Sequence, residues 1–375
     1  MLIMNKPKIM TVFGTRPEAI KISPVVKTLQ SNDNIETIVT VTAQHREMLD
    51  QVLNLFDIIP NYDLDLMKNQ QTLTGVTLRV LKGMKRVYEK SKPDLVLVHG
   101  DTSTTFVASL AAFYNQIKVG HVEAGLRTYN KYSPFPEEMN RHLTGVIADL
   151  HFAPTDLAKE NLLKENVNSE KIIVTGNTVI DALLDVVDEN YKFKSEILNN
   201  IDFDNKKIIL LTTHRRENLG RPMENIFDAI NDILKENKET EVIFPVHLNP
   251  VIRELAAKKF EEAGRVHLVE PLDYEPFINL MNKSYLILTD SGGIQEEAPS
   301  LGKPVLVLRD TTERLEAINA GTVKKVGTNK RMIYNKAKEL LNNEDSYNEM
   351  AKASNPYGDG KASNRILKRI LNEVK

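Results

Sequence analysis

Short apolar runs alternate with amphipathic segments along the chain, and this alternation constrains the fold more than any other feature. Segments such as PEAIKISPVVKTL and TSTTFVASLAAFY have the spacing of apolar residues that predicts a helix. The runs between such segments are predicted to be buried strands, and in the first half they are KIMTVF, ETIVTV, DLVLVHG, KVGHVE and KIIVTG. Alternation of this kind is typical of parallel sheets covered by helices on both faces.

A polar stretch near residues 190–206 interrupts this rhythm, which then restarts with further apolar runs. These are KIILLTTH, EVIFPVH, RVHLVE, YLILTD and KPVLVL. Because 375 residues are too many for one small core, two doubly wound halves joined by a linker fit better than one long sheet. The last helical segment, KASNRILKRILNEVK, follows the Pro/Gly-rich SNPYGDG and could pack on either half.

Composition excludes several classes of partner and site. The formal net charge is -2, which offers no general field for nucleic acid or an anionic membrane, so we expect neither as a partner. The absence of cysteine excludes disulfides, thiolate zinc sites and cysteine nucleophiles. The start, MLIMNKPKIMTVFGT, has a Lys-Pro-Lys break before one short apolar run, which is typical of neither a signal peptide nor a membrane span. We therefore expect a cytoplasmic location.

Polar clusters follow the predicted strands, where ligands bind in sheets of this type. In FGTRPEAIK, Thr15 and Glu18 have the spacing of a capping box, so one interpretation is merely a well-capped first helix. The same segment places Arg16 and Lys21 at the strand end or just beyond it. Arg16 can meet an anion in a forked geometry, which favours an anion site.

Three further segments each place a carboxylate after a strand of the first half. They are HGDTSTT with Asp101, GHVEAGLRT with Glu123 and SPFPEEMNRHLTG with Glu137. Asp101 could simply cap the next helix, and Glu137 with Arg141 could be a surface ion pair. Together, however, three carboxylates at one sheet edge predict general acid–base chemistry. The His-x-Glu pattern at His121 lacks the cysteine pair of zinc deaminases, so no metal site is predicted.

In the second half, LLTTHRRENLGRP ends a strand with His214, Arg215 and Arg216, and FPVHLNP places His247 likewise. We interpret the basic turn as a phosphate clamp, the alternative being a solvated turn. RDTTERLEAINAG adds Arg314 near the next strand end. The chain has no G-x-G-x-x-G, no Walker A sequence and no G-x-S-x-G, which disfavours a tightly held NAD, a P-loop nucleotide and a hydrolase nucleophile elbow.

The segment TDSGGIQEEAPS contains conflicting signals. Asp290 or Ser291 can cap a helix whose first turn, with two glycines, favours an anion. Yet Glu296 and Glu297 come one turn later, where a bare anion is repelled. The segment therefore predicts a ligand that offers both an anionic group and donors to a carboxylate.

Together these clusters resemble the motifs of the non-hydrolysing UDP-N-acetylglucosamine 2-epimerase family, in that family's order and over nearly the full chain. The matching segments are FGTRPEAIK, VTAQHREML, VHGDTSTT, GHVEAGLRT, YSPFPEEMNR, GNTVIDAL, HRRENLG, PVHLNP, DSGGIQEEAPSLGKPVL and NPYGDG. The resemblance implies an α/β fold of two Rossmann-like doubly wound domains, the GT-B architecture, with the active site in the interdomain cleft. It implies a first domain of residues 1–180 plus 358–375 and a second of residues 181–357.

The resemblance also implies roles for individual residues. The UDP-binding residues would be Arg16, His214, Ser291, Gly292, Gly293 and Arg314 at the diphosphate, Glu297 at the ribose, and Phe277 with the backbone near Leu272 at the uracil. The sugar side would be lined by Lys21, Asp101, Glu123, Glu137 and Arg141. Of these residues, the catalytic ones would be Asp101, Glu123, Glu137 and His214. Glu296 is expected to be structural.

Bacterial members of the family bind a second UDP-N-acetylglucosamine as an allosteric activator. The matching residues are Gln44, Gln71, Glu137, Arg215 and His247. Some relatives have Arg where Gln70 stands, which bears on the strength of activation, and commonly Pro where Leu315 stands, which bears on local backbone shape.

The implied reaction is the reversible C2 epimerisation of UDP-N-acetylglucosamine through elimination of UDP to 2-acetamidoglucal and re-addition. It needs no NAD and no metal, and the product supplies cell-surface polysaccharide synthesis. A homodimer is expected by family analogy. Three other functions remain open at this point: a GT-B glycosyltransferase, a hydrolysing epimerase and a catalytically silent sugar-nucleotide sensor. The sequence does not assign a face of C2 to each carboxylate.

Overall fold

The computed structural model describes residues 6–43, 46–66, 71–312 and 314–374. The chain divides into two compact units, Met1–Asp185 with Tyr357–Lys375, and Val186–Pro356. Each unit contains one parallel sheet whose strands alternate with helices along the chain. The predicted fold class, α/β with two Rossmann-like doubly wound domains of the GT-B type, is confirmed.

The sheet of the first unit has seven parallel strands in the order β3-β2-β1-β4-β5-β6-β7. The strands are β1 (Lys8–Phe13), β2 (Glu36–Val41), β3 (Tyr62–Asp63), β4 (Leu95–His99), β5 (Lys118–Val122), β6 (Leu150–Ala153) and β7 (Ile172–Val174). Its helices are α1 (Arg16–Gln30), α2 (Arg46–Leu55), α3 (Leu73–Ser91), α4 (Ser103–Tyr114), α5 (Glu137–Ile147), α6 (Asp156–Lys164) and α7 (Thr178–Val186), with a 3₁₀ turn at Ser169–Lys171.

The sheet of the second unit has six parallel strands in the order β10-β9-β8-β11-β12-β13. The strands are β8 (Lys207–Thr212), β9 (Thr240–Pro245), β10 (Val266–Val269), β11 (Leu286–Thr289), β12 (Val305–Val307) and β13 (Val323–Lys325). The helices are α8 (Glu196–Asn199), α9 (Arg221–Glu236), α10 (Pro250–Phe260), α11 (Tyr274–Lys283), α12 (Gly292–Glu297), α13 (Leu315–Asn319), α14 (Lys330–Asn342) and α15 (Glu344–Ala351), with 3₁₀ turns at Arg216–Asn218 and Ala298–Leu301.

The final helix, α16 (Ala362–Glu373), belongs to the first unit, where it packs against α1. Its first turn is fixed by Asp181 on α7. The Asp181 carboxylate accepts hydrogen bonds from the backbone N–H groups of Ala362 at 3.1 Å and Ser363 at 2.8 Å, and from the Ser363 hydroxyl at 2.7 Å. A buried carboxylate at a helix N-terminus satisfies donors that have no partner within the helix.

The central strands explain why the apolar runs dominate the sequence. Every residue of β4 is buried, as are all but the first residue of β1, because helices cover both faces of a parallel sheet. Ten of the observed strands coincide with predicted runs, whereas β3, β6 and β13 were not predicted. Those three have 2, 4 and 3 residues, with the sequences YD, LHFA and VKK.

The register of the first sheet brings three loops to one edge. Val12 of β1 pairs with Val98 of β4, and His99 of β4 pairs with Val122 of β5. The loops that follow these three strands therefore start side by side, at the carboxyl ends where doubly wound folds bind ligands. No helix within the described ranges is both long and apolar enough to span a membrane.

Candidate active site

Glu18 lies beneath the edge of the first sheet and joins two of its loops. The fully buried carboxylate accepts hydrogen bonds from the N–H groups of Gly14 (3.1 Å) and Thr15 (2.8 Å) and from the Thr15 hydroxyl (2.8 Å). Its other oxygen accepts from the hydroxyls of Thr102 (2.7 Å) and Thr105 (3.1 Å). Burial raises the pKa of Glu18, and the bonds from Thr102 and Thr15 oppose that rise. The predicted capping box is present, and it also joins the loop after β1 to the start of α4.

Glu123 follows β5 with a backbone φ of +64°, a conformation that few residues with a side chain adopt. Its carboxylate is 8% exposed, and Oε1 accepts hydrogen bonds from the Lys21 ammonium and, at 3.0 Å, from Asn177 Nδ2. The second oxygen faces His99. Burial raises the pKa of Glu123, but Lys21 and His99 outweigh it and lower the pKa to about 2. Glu123 is therefore ionised at neutral pH, as the Lys21 pair requires.

Asp101 follows β4 and pairs with Arg141 of α5. The Arg141 guanidinium donates to Asp101 at 2.6 Å and to Glu138 at 3.1 Å. The structure therefore brings together two residues predicted for the sugar side. The alternative, that Asp101 caps α4, is wrong, because Thr102 is the N-cap residue and its hydroxyl accepts from the Thr105 N–H at 3.2 Å.

The other alternative, an ion pair between Glu137 and Arg141, is also wrong. Arg141 pairs instead with Glu138, whose buried carboxylate also accepts backbone N–H bonds from Thr128 at 3.0 Å and Tyr129 at 2.9 Å. The Glu137 carboxylate is half-buried and has no hydrogen bond or ion pair with any described residue. Of the three predicted catalytic carboxylates, it is therefore the one whose side chain is not held in place.

Asp290 organises the edge of the second sheet. One oxygen of this fully buried carboxylate accepts four hydrogen bonds of 2.9 Å, from the Thr213 hydroxyl, the N–H groups of His214 and Arg215, and Asn218 Nδ2. Of the two predicted cap residues, Asp290 and Ser291, it is Ser291 that holds the N-cap position of α12. Asp290 instead fixes the basic turn after β8.

His214 is thereby held at the strand end with its ring half-exposed. Its Nδ1 lies 3.5 Å from the second oxygen of Asp290, and its ring stacks on His247 with centroids 5.5 Å apart. Burial lowers the pKa of His214, Asp290 raises it, and the neighbouring His247 and Arg215 lower it further. The net direction is downward, so His214 is mostly neutral at pH 7 in this ligand-free structure.

The start of α12 is bordered by Arg314. A methyl group built on Gly292 would lie 3.4 Å from the Arg314 guanidinium carbon, an ordinary van der Waals distance, so the guanidinium lies directly beside this turn. Glu296 pairs with Arg314 Nε at 2.8 Å, in agreement with the expectation that Glu296 is structural. Gly293, by contrast, is exposed. These contacts place a guanidinium beside backbone N–H groups at the end of β11, an arrangement suited to phosphate oxygens.

Glu297 ends α12 with a largely buried carboxylate that accepts a hydrogen bond from the Tyr274 hydroxyl at 3.3 Å. Tyr274 begins α11, and the half-buried Phe277 lies one turn later on the same helix. Leu272 is in the loop just before that helix. The structure therefore places the predicted uracil and ribose residues on α11, α12 and the loop preceding α11, all within the second unit.

The predicted allosteric residues are only partly described. Gln44 and Gln70 lie outside the described residues. Gln71 accepts a hydrogen bond from Arg79 at 2.5 Å in the first unit, whereas Arg215 and His247 belong to the second.

Arg16 is the first residue of α1 and is exposed, and it makes no ion pair with any residue in the described ranges. Among the same ranges, no group of three or more His, Asp or Glu side chains is arranged to hold a metal ion. The two sheet edges present paired carboxylates, cations and backbone N–H groups.

Comparison with known proteins identifies the family. A sequence model described as UDP-N-acetylglucosamine 2-epimerase matches residues 27–371, most of the chain. The chain belongs to the UDP-N-acetylglucosamine 2-epimerase family. The protein of that name from Bacillus subtilis strain 168 is 60% identical over 368 residues, which cover 98% of this chain and 96% of that protein.

Solved structures of this epimerase family have the same fold. The UDP-GlcNAc 2-epimerase from Neisseria meningitidis bound to UDP-GlcNAc is 52% identical with a TM-score of 0.84, covering 97% of this chain and 100% of that one. The S. aureus protein MnaA, in a co-structure with UDP, is 54% identical with a TM-score of 0.86, covering 98% and 97%.

Sequence reasoning missed the residues that hold the family's motifs in place. Glu138 was passed over for its neighbour Glu137, and Asp290 was considered only as one of two possible helix caps. His99, buried beside Glu123, was read only as the end of a strand. A carboxylate that binds backbone N–H groups of a distant loop leaves no local pattern. Only the doubled Glu-Glu of PFPEEM hinted that one of the two acids points inward.

Proposed function

We propose that the protein interconverts UDP-N-acetylglucosamine and UDP-N-acetylmannosamine by inversion at C2. The observation that carries the proposal is the ionised, buried Glu123 held by Lys21 and Asn177 at the edge of the first sheet. A binding protein has no need of a buried charged acid at that position, because ionised carboxylates are costly to bury. Membership of the epimerase family supports the choice of substrate.

We assign the nucleotide to the second unit, where Ser291, Gly292, Gly293 and Arg314 would meet the diphosphate, and Glu297 the ribose hydroxyls. Phe277 and the backbone near Leu272 would meet the uracil. Arg16 of the first unit would add a cation at the diphosphate. A hydroxyl-bearing ribose next to a diphosphate accounts for the carboxylate that follows the glycine turn, because hydroxyls donate to Glu297 while phosphate oxygens accept from N–H groups.

The C2 hydrogen is not next to a carbonyl, so its removal requires help from C1. Departure of UDP leaves positive charge at C1, which acidifies the C2 hydrogen. Loss of that proton gives 2-acetamidoglucal. Return of UDP to C1, with a proton delivered to the opposite face of C2, gives the epimer. Negative charge on the departing diphosphate would be stabilised by Arg314, Arg16 and His214.

The carboxylates would move the protons. A carboxylate with a pKa of about 2 is a weak base, and it suffices only because charge at C1 weakens the C–H bond. Delivery to the opposite face needs a second acid. Asp101, fixed by Arg141, and Glu137, which no described residue holds, are the candidates for it.

We further propose that a second UDP-N-acetylglucosamine activates the enzyme through Gln44, Gln71, Glu137, Arg215 and His247. A homodimer, a cytoplasmic location and supply of a cell-surface polysaccharide remain predictions. The stacked rings of His214 and His247 are both exposed, which supports a ligand near His247.

An NMR time course on UDP-N-acetylglucosamine alone in deuterated water tests the proposal. We expect UDP-N-acetylmannosamine carrying deuterium at C2, with no acceptor and no added cofactor. Release of free N-acetylmannosamine would identify a hydrolysing epimerase instead. An unchanged spectrum with tight UDP binding would identify a sensor or a glycosyltransferase that lacks its acceptor. Product that retains the C2 hydrogen would exclude proton exchange with solvent.

A further inference from the structure

His99 is an anomaly among the buried polar residues of the first unit. It ends β4 two residues before Asp101, its side chain is 2% exposed, and neither ring nitrogen has a hydrogen-bond partner among the described residues. Buried polar groups almost always have a partner, so a histidine with two unsatisfied nitrogens requires a physical explanation.

Two other buried histidines of the same sheet provide a comparison. His121 of β5 has its Nε2 2.7 Å from the Gly100 carbonyl oxygen, and only its Nδ1 lacks a partner. His151 of β6 likewise has only an unpartnered Nδ1. Of these three, His99 alone has neither nitrogen satisfied, which separates it from an ordinary core histidine.

The nearest acid to His99 is Glu123. His99 Nε2 lies 3.9 Å from Oε2 of Glu123, the oxygen to which no described residue donates, whereas Oε1 is bound by Lys21 and Asn177. A shift of about 1 Å would bring the two atoms into direct hydrogen-bond distance.

We propose that His99 is a positioning residue for Glu123, donating Nε2–H to Oε2 in the substrate complex and fixing the plane of the carboxylate. The inference rests on the proposed function, since it concerns the group that exchanges the C2 proton. With Oε1 bound by two donors and Oε2 by one, the carboxylate has one orientation, and its remaining lone pairs have a defined direction.

The charge state of His99 suits this role. Burial lowers its pKa to about 4, Glu123 raises it and Lys21 lowers it, and the neighbouring His121 is neutral for the same reason of burial. The imidazole is therefore neutral at pH 7 and carries one N–H. A hydrogen bond to Glu123 requires that this hydrogen be on Nε2, which leaves Nδ1 as a bare acceptor.

Substitutions of His99 can distinguish a role in positioning Glu123 from a role in packing alone. His99→Phe keeps a ring of similar size and removes the donor, whereas His99→Gln keeps a donor at a similar reach. His151→Phe is the matched control, because it removes another buried imidazole, one with no hydrogen bond or ion pair to Glu123 among the described residues. For each variant, the pH profiles of kcat and kcat/KM for C2 exchange are measured, together with UDP affinity.

We expect His99→Phe to lower kcat roughly 10- to 100-fold, the loss of one charge-assisted hydrogen bond. Because the lost bond favours the ionised carboxylate in the substrate complex, the acidic limb of kcat, which reports that complex, should move up by about one pH unit. KM and UDP affinity should stay within about twofold, and His99→Gln should restore most of kcat. The control should leave the acidic limb in place.

Two results would overturn the inference: an unmoved acidic limb in His99→Phe, or equal losses in the Phe and Gln variants, which indicates packing alone. A wild-type enzyme without C2 exchange would instead refute the proposed function. In that event the ¹⁵N spectrum of His99 with UDP-N-acetylglucosamine bound still tests the contact. The contact is supported if His99 carries its hydrogen on Nε2 and if this preference disappears in Glu123→Gln. A hydrogen on Nδ1 in the wild-type protein contradicts the contact.

Discussion

The two sheet edges that carry the predicted site differ in how they hold charge. At the edge of the first sheet, acids are paired with cations inside the fold: Glu123 with Lys21, and Asp101 with Arg141. At the edge of the second sheet, the buried acid Asp290 instead binds backbone N–H groups of the turn after β8, and His214 and Arg216 of that turn are exposed. The pair of Glu296 with Arg314 is the exception at this edge. The difference matches two tasks, since proton transfer requires oriented acids and anion binding requires accessible donors.

The largest effect that follows from this comparison concerns Glu123. Glu123→Gln should lower turnover about 10²- to 10⁴-fold, the usual contribution of a general acid or base. UDP affinity should remain within about twofold, because the proposed nucleotide residues other than Arg16 belong to the other unit. NMR of the epimerisation and calorimetry with UDP measure the two quantities.

The matched control is Glu138→Gln, which alters a neighbouring buried acid that binds backbone N–H groups. We expect both variants to lower stability, because each removes the charge of a buried carboxylate that holds several donors, but among folded molecules Glu123→Gln should lose more turnover. A parallel loss of UDP affinity in Glu123→Gln would show that the two edges do not divide the chemistry as proposed.

The next largest predicted effect concerns the stability of the loops at the edge of the first sheet. Glu18→Ala removes an acceptor shared by two backbone N–H groups and three hydroxyls, and we expect a loss of about 3 kcal/mol or more. Hydrogen exchange should accelerate at the amides of β1 and β4, and the amides of β8 serve as the internal reference. Glu18→Gln, which keeps an acceptor, should lose less.

Equal acceleration of the β8 amides in Glu18→Ala would contradict a local role for this carboxylate. So would an alanine variant whose first-unit amides exchange at the wild-type rate. Either result would indicate that the loops after β1 and β4 are held by contacts other than Glu18.

A third predicted effect is a difference between the two units in how their stability depends on pH. Burial lowers the pKa of His99 and His151 to about 4 and that of His121 to about 3, against an ordinary value of 6.5. Between pH 6.5 and 4 the unfolded chain binds protons that the folded chain does not. Each of these histidines therefore destabilises the first unit by about 1.4 kcal/mol per pH unit as the pH falls.

Above pH 6.5 these histidines do not make the stability of the first unit depend on pH, because they are neutral in both the folded and the unfolded chain. Protection of the β4, β5 and β6 amides should therefore fall on acidification from pH 6.5 to 4 more steeply than protection of the β8 amides. His151→Phe should reduce that slope. Equal slopes in the two units would contradict the burial that sets these pKa values.

The sequence was sufficient to predict ten of the thirteen strands and the residues whose spacing repeats locally, such as the Thr15–Glu18 box. It failed where a side chain acts at a distance along the chain. Asp290 binds a turn 75 residues earlier in sequence, and a carboxylate next to a glycine pair fits a helix cap equally well. Long-range contacts of this kind appear only when the strands are in register.

The same limit applies within the predicted site. Glu137 and Glu138 are adjacent and chemically identical, and the sequence favoured the wrong partner for Arg141. Which of two neighbouring acids points inward depends on the direction in which α5 leaves its loop. Local propensity does not determine that direction.

The smallest predicted effect concerns the protonation of His214 at the edge of the second sheet. Asp290→Asn keeps an oxygen that can accept from the backbone N–H groups of the turn, but it removes the negative charge 3.5 Å from His214 Nδ1. Since Asp290 raises the pKa of His214 against the opposing effect of burial, the variant should lower that pKa further, by less than about one unit for a half-exposed ring. A ¹H NMR titration of the His214 ring measures the shift.

His247→Gln is the matched control, because His247 lowers the pKa of His214 and its loss should move that pKa upward. Opposite shifts in the two variants would show that charge, rather than disturbance of the turn, sets the protonation of His214. If His214 stabilises the departing diphosphate as a cation, Asp290→Asn should also narrow the range of pH over which turnover is high, reducing it first on the alkaline side. If the titration of the His214 ring is unchanged in Asp290→Asn, Asp290 acts on the edge of the second sheet only through its hydrogen bonds to the backbone. The two sheet edges would then differ in geometry but not in how they control charge.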